Sequence, residues 1–579
     1  MIATTNEWEE LLETDDLLPE SNVNIVCNDT VEDTSTWNVS SENCEEMSNI
    51  NILASKPDNI NWNEDKIATF EHNFWILDGT FEVADETTKV DRYMSDILCD
   101  ENGDFPEDNY PQVTLTPNNP PFLEPYVYTL KFAPFLNECA KNVVLSGSTL
   151  NELIIEEYDE EYVYVDNLYP RNAGSSILTI KSWSMPFRRA RVSEFLIGAR
   201  LFFDKNNLSS FSHERTTDMV DAELPQNDCK YKVLDINNDY DINNPTARFI
   251  RDLDTSSVFQ IYYGYKINQK WEYHLIDTVN LASVERPQNG IEATFTLESD
   301  LSQKTQTFLD TVSDNSNNEW TSYSSLLQKI ANKTGITITR NGGNYATNTF
   351  SNMYKTSRTI DEDYYKREMR EWLQLVAAAI NSFLRRNPNG SIDTICLVDS
   401  NGSIKSANYV DTISLDNFFK YPEIENIDVI KNVVLTILKT HNSSSSPDKF
   451  VTIDIPNIGN VHIPPYRYSK NYNTIGVDQT AENKAIIITY NNNNNAGFKT
   501  TDGIHTTYMN WLNTFISGAS RIKANCRINP AWQVGDLIRI QLRNGNYVKG
   551  YITDIAIEYS GYPKGNVTIL APKSINKEE

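Results

Sequence analysis

Histidine is the natural first residue to test for chemistry, because its charge changes between about pH 5 and 8. The chain has six: His72, His213, His274, His441, His462 and His505. None has another histidine or a cysteine two to five residues on, and no HExxH pair occurs, so the spacing of a metal site is absent. The seven cysteines, Cys27, Cys44, Cys99, Cys139, Cys229, Cys396 and Cys526, are odd in number, far apart and never arranged as CxxC. That pattern is neither a disulfide framework nor a zinc site, and reduced, buried thiols in a reducing compartment are expected.

Nucleophile and phosphate motifs are missing too. There is no GxSxG elbow, no GxxxxGK[ST] phosphate loop and no GxGxxG. Carboxylates are densest at Glu156, Glu157, Asp159, Glu160 and Glu161. General-acid work needs a carboxyl held in an apolar pocket, and a run this dense reads instead as a solvated loop face. The series Asp235-x-Asn237-x-Asp239-x-Asp241 has the opening of a calcium loop, but Tyr240 stands where the turn needs glycine and Thr246 where the closing Glu belongs. It reads as a turn whose short polar side chains satisfy the backbone. The 30 Tyr, 23 Phe and 10 Trp suit half-buried strands as well as a sugar-binding face. No catalytic, cofactor-binding or metal-ligating residue is assigned, and the chain reads as a non-enzyme that works by shape and assembly.

Composition agrees. A formal charge of −30 over 579 residues opposes specific nucleic-acid binding, which needs clustered cations. The one local basic run, Arg188, Arg189 and Arg191, reads as a strand end paired with carboxylates. The longest apolar stretch, Trp372 to Leu384, is interrupted by Gln374, Asn381 and Ser382 and is too short to cross about 30 Å of hydrocarbon. The first residues lack the basic and apolar regions of a secretory signal, so synthesis in a cytosol is expected.

The elements are mostly strands. Before Lys56 every formal charge on a side chain is negative; Trp8, Leu11 and Leu12 nevertheless recur at helical spacing, and Asn22 to Val26 alternate like a strand. Short alternating runs such as Tyr126–Phe132, Tyr162–Val165 and Ile177–Trp183, separated by turn clusters, suggest a β-sandwich. Two helices are expected later, one on Tyr323, Leu326, Leu327 and Ile330 with Gly335 as its stop, one on Met369, Trp372, Leu373, Val376 and Ile380. The runs Ser443–Ser446 and Asn491–Asn495 read as exposed connections. There is also an internal echo. Ile261–Leu297 and Ile538–Leu570 each run strand, polar turn, strand, glycine and closing strand. Two similar small barrels or two unrelated meanders would both produce it.

Several stretches resemble the hub or tail-tip proteins of phages and prophages. They are Lys66–Gly79, Pro186–Gly198, Lys232–Pro245, Arg370–Ala379 with its following Asn-Gly turn, and Asn529–Ile538. Lys66–Gly79 resembles the opening of a jelly-roll insert and Pro186–Gly198 its closing strand. The resemblance implies a multidomain, β-rich α+β chain. Its parts would be an acidic segment (1–59), a jelly-roll-like sandwich (60–205), a first tube-type hub β-barrel (206–300), an α+β insert (301–440), a loop-rich β connection (441–499) and a second hub β-barrel (500–579). Three chains with two barrels each would form a pseudo-hexameric homotrimer. Such a ring would adapt the tail tube to the tip of the virion and meet other baseplate proteins, the tape measure or a receptor-binding protein. No cofactor is implied. A carbohydrate-binding adhesin working through 60–205, with a host surface glycan as partner, is the alternative. A cell-wall-degrading tail lysin is the third reading, disfavoured because such enzymes carry a recognisable catalytic domain.

Overall fold

In this computed structural model the described residues are 1–13, 20–29, 31–46, 93–132, 138–146, 152–155, 162–219, 224–241, 253–268, 270–286, 290–305, 323–341, 368–379, 382–397, 407–427, 433–440, 450–455, 467–469, 473–475, 488–490, 518–559 and 563–576, with a few single positions between. The stretch Lys66–Gly79, the acidic run 156–161, and the Ser443–Ser446 and Asn491–Asn495 connections lie outside them.

Strands dominate because the alternating Val, Ile, Tyr and Thr runs suit a pleated, half-buried surface. The largest sheet has 13 strands. In chain order these are β1 (Ser21–Cys27), β2 (Leu201–Phe203), β3 (Leu208–Thr216), β4 (Gln226–Leu234), β5 (Val258–Ile267), β6 (Lys270–Glu285), β7 (Glu292–Glu298), β8 (Asp411–Ile413), β9 (Phe418–Asn426), β10 (Ser520–Arg527), β11 (Leu537–Gln541), β12 (Tyr547–Tyr559) and β13 (Pro563–Ala571). Their spatial order is β2-β1-β5-β6-β7-β4-β3-β12-β13-β10-β9, with β11 beside β12 and β8 beside β11. Every described pairing is antiparallel except β8 with β11. One apolar core, from Val23 and Phe259 to Ile557 and Ile569, runs under both halves.

The echo in the sequence is a repeated strand permutation. The set β3 to β7 lies in the order β5-β6-β7-β4-β3, and the set β9 to β13 in the order β11-β12-β13-β10-β9. In each the long fourth strand carries a one-residue bulge against the fifth, at Ala282 in β6 and Thr553 in β12. The registers superpose through it: His213, Cys229, Leu297 and Leu281 form one cross-strand row, and Ile424, Ile522, Ile569 and Ile552 form its counterpart. No sheet closes on itself among the described residues.

A second body is a sandwich of two five-stranded sheets. One runs Asn38–Glu42, Gln112–Thr116, Ser176–Trp183, Ala140–Leu145, Leu153–Ile154; the other Val163–Asp166, Val127–Phe132, Arg191–Ile197, Tyr93–Ser95, Cys44–Glu46. Leu115, Leu130, Phe132, Leu178, Trp183 and Phe195 fill its core. The first 59 residues supply strands to both bodies. Their helix α1 (Asn6–Glu13) buries Trp8 completely, edge-on to Tyr265 at 4.5 Å and His274 at 4.8 Å.

The two expected helices are α2 (Tyr323–Thr334) and α3 (Met369–Ala379), and Gly335 follows α2 at φ 72°. They accompany a small sheet of Ile338–Asn341, Ile392–Ile395 and Phe383–Arg386. Further on, Val433–Thr440 pairs with Phe450–Ile455 and Arg467–Ser469. No helix among the described residues is long and apolar enough to cross a membrane.

Candidate functional site

The residues most like a catalytic constellation lie in the first strand set. His213 on β3 stands directly opposite Cys229 on β4, and its Nε2 is 2.9 Å from Asp277 Oδ2 on β6. All three are buried, at 1 %, 1 % and 0 % exposure, so no substrate atom reaches them. Burial pushes the Cys229 thiol well above its ordinary value and holds His213 below its own. Burial also works to raise Asp277, but the His213 hydrogen bond and the Arg386 and Arg215 charges outweigh it and hold the carboxyl below its usual range. A nucleophile needs the reverse, a lowered thiol beside an accessible base.

What this cluster does is join elements. Asp277 Oδ2 also accepts from Asn227 Nδ2 at 2.8 Å, and its Oδ1 faces Arg386 Nε at 3.8 Å. Arg386, from the small α+β sheet, also pairs with Asp300 and donates to Thr278 O at 2.5 Å. Thr217 at the end of β3 donates to Leu384 O, and Thr278 to Pro388 O, both at 2.6 Å. Arg385 reaches Asp393 at 3.0 Å and Asp536 at 3.8 Å. The α+β insert is thus bolted onto the seam between the two strand sets by buried, mostly charge-assisted bonds.

Other expected residues fall as follows. His274 is bonded to Glu272 at 2.6 Å under Trp8; the remaining four histidines lie outside the described residues. In the calcium-like turn the Asp235 carboxylate accepts from Asp239 N at 2.7 Å and faces Arg286 Nε at 3.1 Å, with Arg286 Nη1 3.3 Å from Asp241. Side chain and backbone thus take the places of a cation. Arg188 pairs with buried Glu138 at 3.2 Å and Arg189 donates to Ser95 O and Asp96 O, in line with a paired strand end. Cys44 is half-buried and the other six thiols are buried.

The more informative geometry is at the strand edges. β3 is covered: Phe211 to Thr216 pair with Tyr559 to Asp554 of β12, beginning just past the Thr553 bulge. Its counterpart β9 pairs only with β10 among the described residues, with no described strand on its outer edge. Ile424, the counterpart of buried His213, is 45 % exposed, and Phe419 is 53 % exposed. The segment of β6 just past its own bulge, Ser283–Glu285, pairs with β7 on one side and with no described strand on the other. Among the described residues, an unpaired edge and an unpaired receiving segment therefore sit where the covered pair sits in the other set. An open polar concavity of about 980 Å³ faces the covered join, lined by Glu214, Asp218, Glu423, Glu425 and Asp554 against Arg521 and Lys523.

Comparison with known proteins gives structural neighbours alone. No family model matches the chain, and no curated protein does. Among solved structures, the prophage MuSo2 43 kDa tail protein from Shewanella oneidensis aligns at 10% identity over 65% of this chain and 97% of that one, with a TM-score of 0.38. A tail protein from Neisseria meningitidis MC58 aligns at 11% identity over 63% and 92%, TM-score 0.36. The prophage tail protein gp18 from Listeria monocytogenes EGD-e aligns at 8% identity over 66% and 94%, TM-score 0.34.

Proposed function

We propose that the chain is a structural, non-enzymatic subunit of a phage-type tail, a hub or tail-tip protein that assembles into a ring with two further copies. The carrying observation is the duplicated strand set with one edge joined inside the chain and the equivalent edge unpaired among the described residues. In the proposed ring, β9 of one copy adds to Ser283–Glu285 of the next, as β3 adds to β12 within the chain. Each set then curls toward a tube-type barrel wall, and three chains supply six such walls. The contact is heterologous and closes only if the rotation per copy fits a ring.

In this reading the polar concavity belongs to the lumen, where carboxylates outnumber cations and would repel a passing nucleic acid. The sandwich decorates the outside. Its strand order, with Val163–Asp166, Val127–Phe132, Arg191–Ile197 and Tyr93–Ser95 in one sheet against Gln112–Thr116, Ser176–Trp183, Ala140–Leu145 and Leu153–Ile154 in the other, supports the jelly-roll reading. It is held to the large sheet through Arg200, which pairs with Glu194 and donates to Asn28 Oδ1 at 2.8 Å. The location that follows is the virion tail after synthesis in the host cytoplasm, with tail-tube and baseplate proteins as partners.

Light scattering on the purified full-length chain tests this. A mass near three times 66.1 kDa is expected. A monomer that stays monomeric when mixed with its tail-tube partner overturns it. The adhesin reading has one observation of its own, the exposed rings of Tyr126 (44 %) and Tyr169 (73 %) on the sandwich. A glycan array with the full chain and with Tyr169→Ala decides it: tyrosine-dependent glycan capture favours the adhesin.

A further inference from the structure

On a chain of charge −30, one surface sets two arginines against tyrosine rings. It lies on the second strand set, where β8, β11 and the β11–β12 hairpin meet. Arg539 on β11 is held between two tyrosine rings, 4.1 Å from the Tyr409 centroid and 4.5 Å from that of Tyr547. Its Nε donates to Thr412 Oγ1 at 2.6 Å. Arg543 in the hairpin is exposed and lies 4.2 Å over the Tyr421 ring. Tyr409 and Tyr547 are themselves 40 % and 45 % exposed. A cavity of about 270 Å³ opens beside Arg539, where Arg527 is balanced by Glu9 and Asp411.

Contact with two tyrosine rings and the Thr412 bond restrain the Arg539 guanidinium before any partner arrives. The Nε bond uses one donor and leaves the terminal nitrogens directed along the plane, the fork that meets a carboxylate with two parallel bonds. Nothing in the core requires this arrangement: Ile538 and Ile540, the neighbours of Arg539, supply the apolar face of the strand. Holding a planar cation rigid at the surface reduces the ordering cost of binding.

We propose that this Tyr409–Arg539–Tyr547 clamp, with Arg543, is a docking site for an acidic, extended protein segment. Carboxylates of that segment would take the Arg539 and Arg543 forks. A nucleic acid is the disfavoured occupant, because each tyrosine gives one of its two faces to an arginine, leaving less ring for base stacking. The site does not depend on the ring reading.

The test uses the full-length chain and fluorescence anisotropy with a labelled, glutamate-rich octapeptide, beside a labelled oligothymidylate of equal charge. Peptide binding is expected, and Arg539→Gln should weaken it about tenfold or more, the worth of a charge-assisted bidentate contact. Arg539→Lys keeps the charge but loses the fork, and should weaken it nearly as much. Arg543→Gln, at an exposed position that folding does not need, is the second variant and should give a smaller loss. No peptide binding, binding that ignores all three substitutions, or tighter binding of the oligonucleotide each overturns the proposal.

Discussion

The two strand sets of the large sheet share a permutation, a register and a bulge, yet they differ in what covers their first strand. In one set β3 lies under β12, and the residue at the key row is His213, buried and bonded to Asp277. In the other no described strand covers β9, and the residue in the equivalent place is Ile424, 45 % exposed. A buried polar group demands a partner inside the chain. An exposed apolar residue on an open edge does the opposite, inviting a strand from outside. In the proposed ring the first set is finished by its own chain and the second by another.

That comparison can be broken in four ways. The largest effect belongs to the seam. Asp277→Ala leaves His213 and Asn227 without their acceptor and buried Arg215 without the carboxylate that most favours its charge, while Arg386 keeps Asp300; it should cost about 3–5 kcal/mol, the usual loss when a buried charge is left unpaired. Urea unfolding reads it, and an unchanged midpoint would remove the seam as an energetic element.

Next comes a place where the sets differ by one methyl group. Gly565 on β13 occupies the register of Ala293 on β7. A Cβ at Gly565 would stand 1.9 Å from Ala556 O, so Gly565→Ala should cost about 1–3 kcal/mol or more by overpacking. Ala293→Gly should be milder, at about 1 kcal/mol from strand entropy. Equal losses in thermal melts would deny that the two sets pack differently there.

A smaller effect is expected from pH. Burial lowers the proton affinity of His213 in the fold, so below about 6.5 the unfolded chain takes up a proton that the folded chain refuses. Stability is therefore full above that pH and falls as pH drops. Asp277, also held below its ordinary value, adds to the loss only at more acid pH, toward and below about 4. The melting temperature should decline from pH 7.5 to pH 5, and His213→Gln should flatten that decline. A slope unaltered by His213→Gln would place the proton uptake elsewhere.

The smallest effect on the isolated chain comes from Ile424→Lys. With 45 % of the side chain exposed, stability should change by no more than about 0.5 kcal/mol. The solution mass is the sharper readout: a charge on the open edge should block addition of a neighbouring strand and leave a monomer. A trimer that survives the substitution would move the contact away from β9.

The local elements were legible in the sequence because their signals are local. Trp8, Leu11 and Leu12 marked α1, the Tyr323–Ile330 and Met369–Ile380 stripes marked α2 and α3, and Gly335 marked the end of α2. Period-2 alternation found strands such as Val127–Phe132, Val163–Asp166 and Ser176–Trp183. Residues 21–27 read as a strand, but not as one inserted between β2 and β5, which lie about two hundred residues away in the chain. The echo was visible as strand, turn and glycine spacing; the shared permutation was not, because which strand pairs with which is a long-range choice that alternation leaves open.

By itself, then, the sequence determined the strand-rich class, the helices, the acidic surface and the lack of a catalytic motif, all of which follow from residue types and near-neighbour spacing. Only the tertiary structure decided that His213, Asp277 and Arg386 form one buried bolt, that Tyr409, Arg539 and Tyr547 form one clamp, and that, among the described residues, β3 is covered while β9 is not. Those outcomes depend on contacts between residues up to more than a hundred positions apart, which exist only once the sheet has chosen its neighbours.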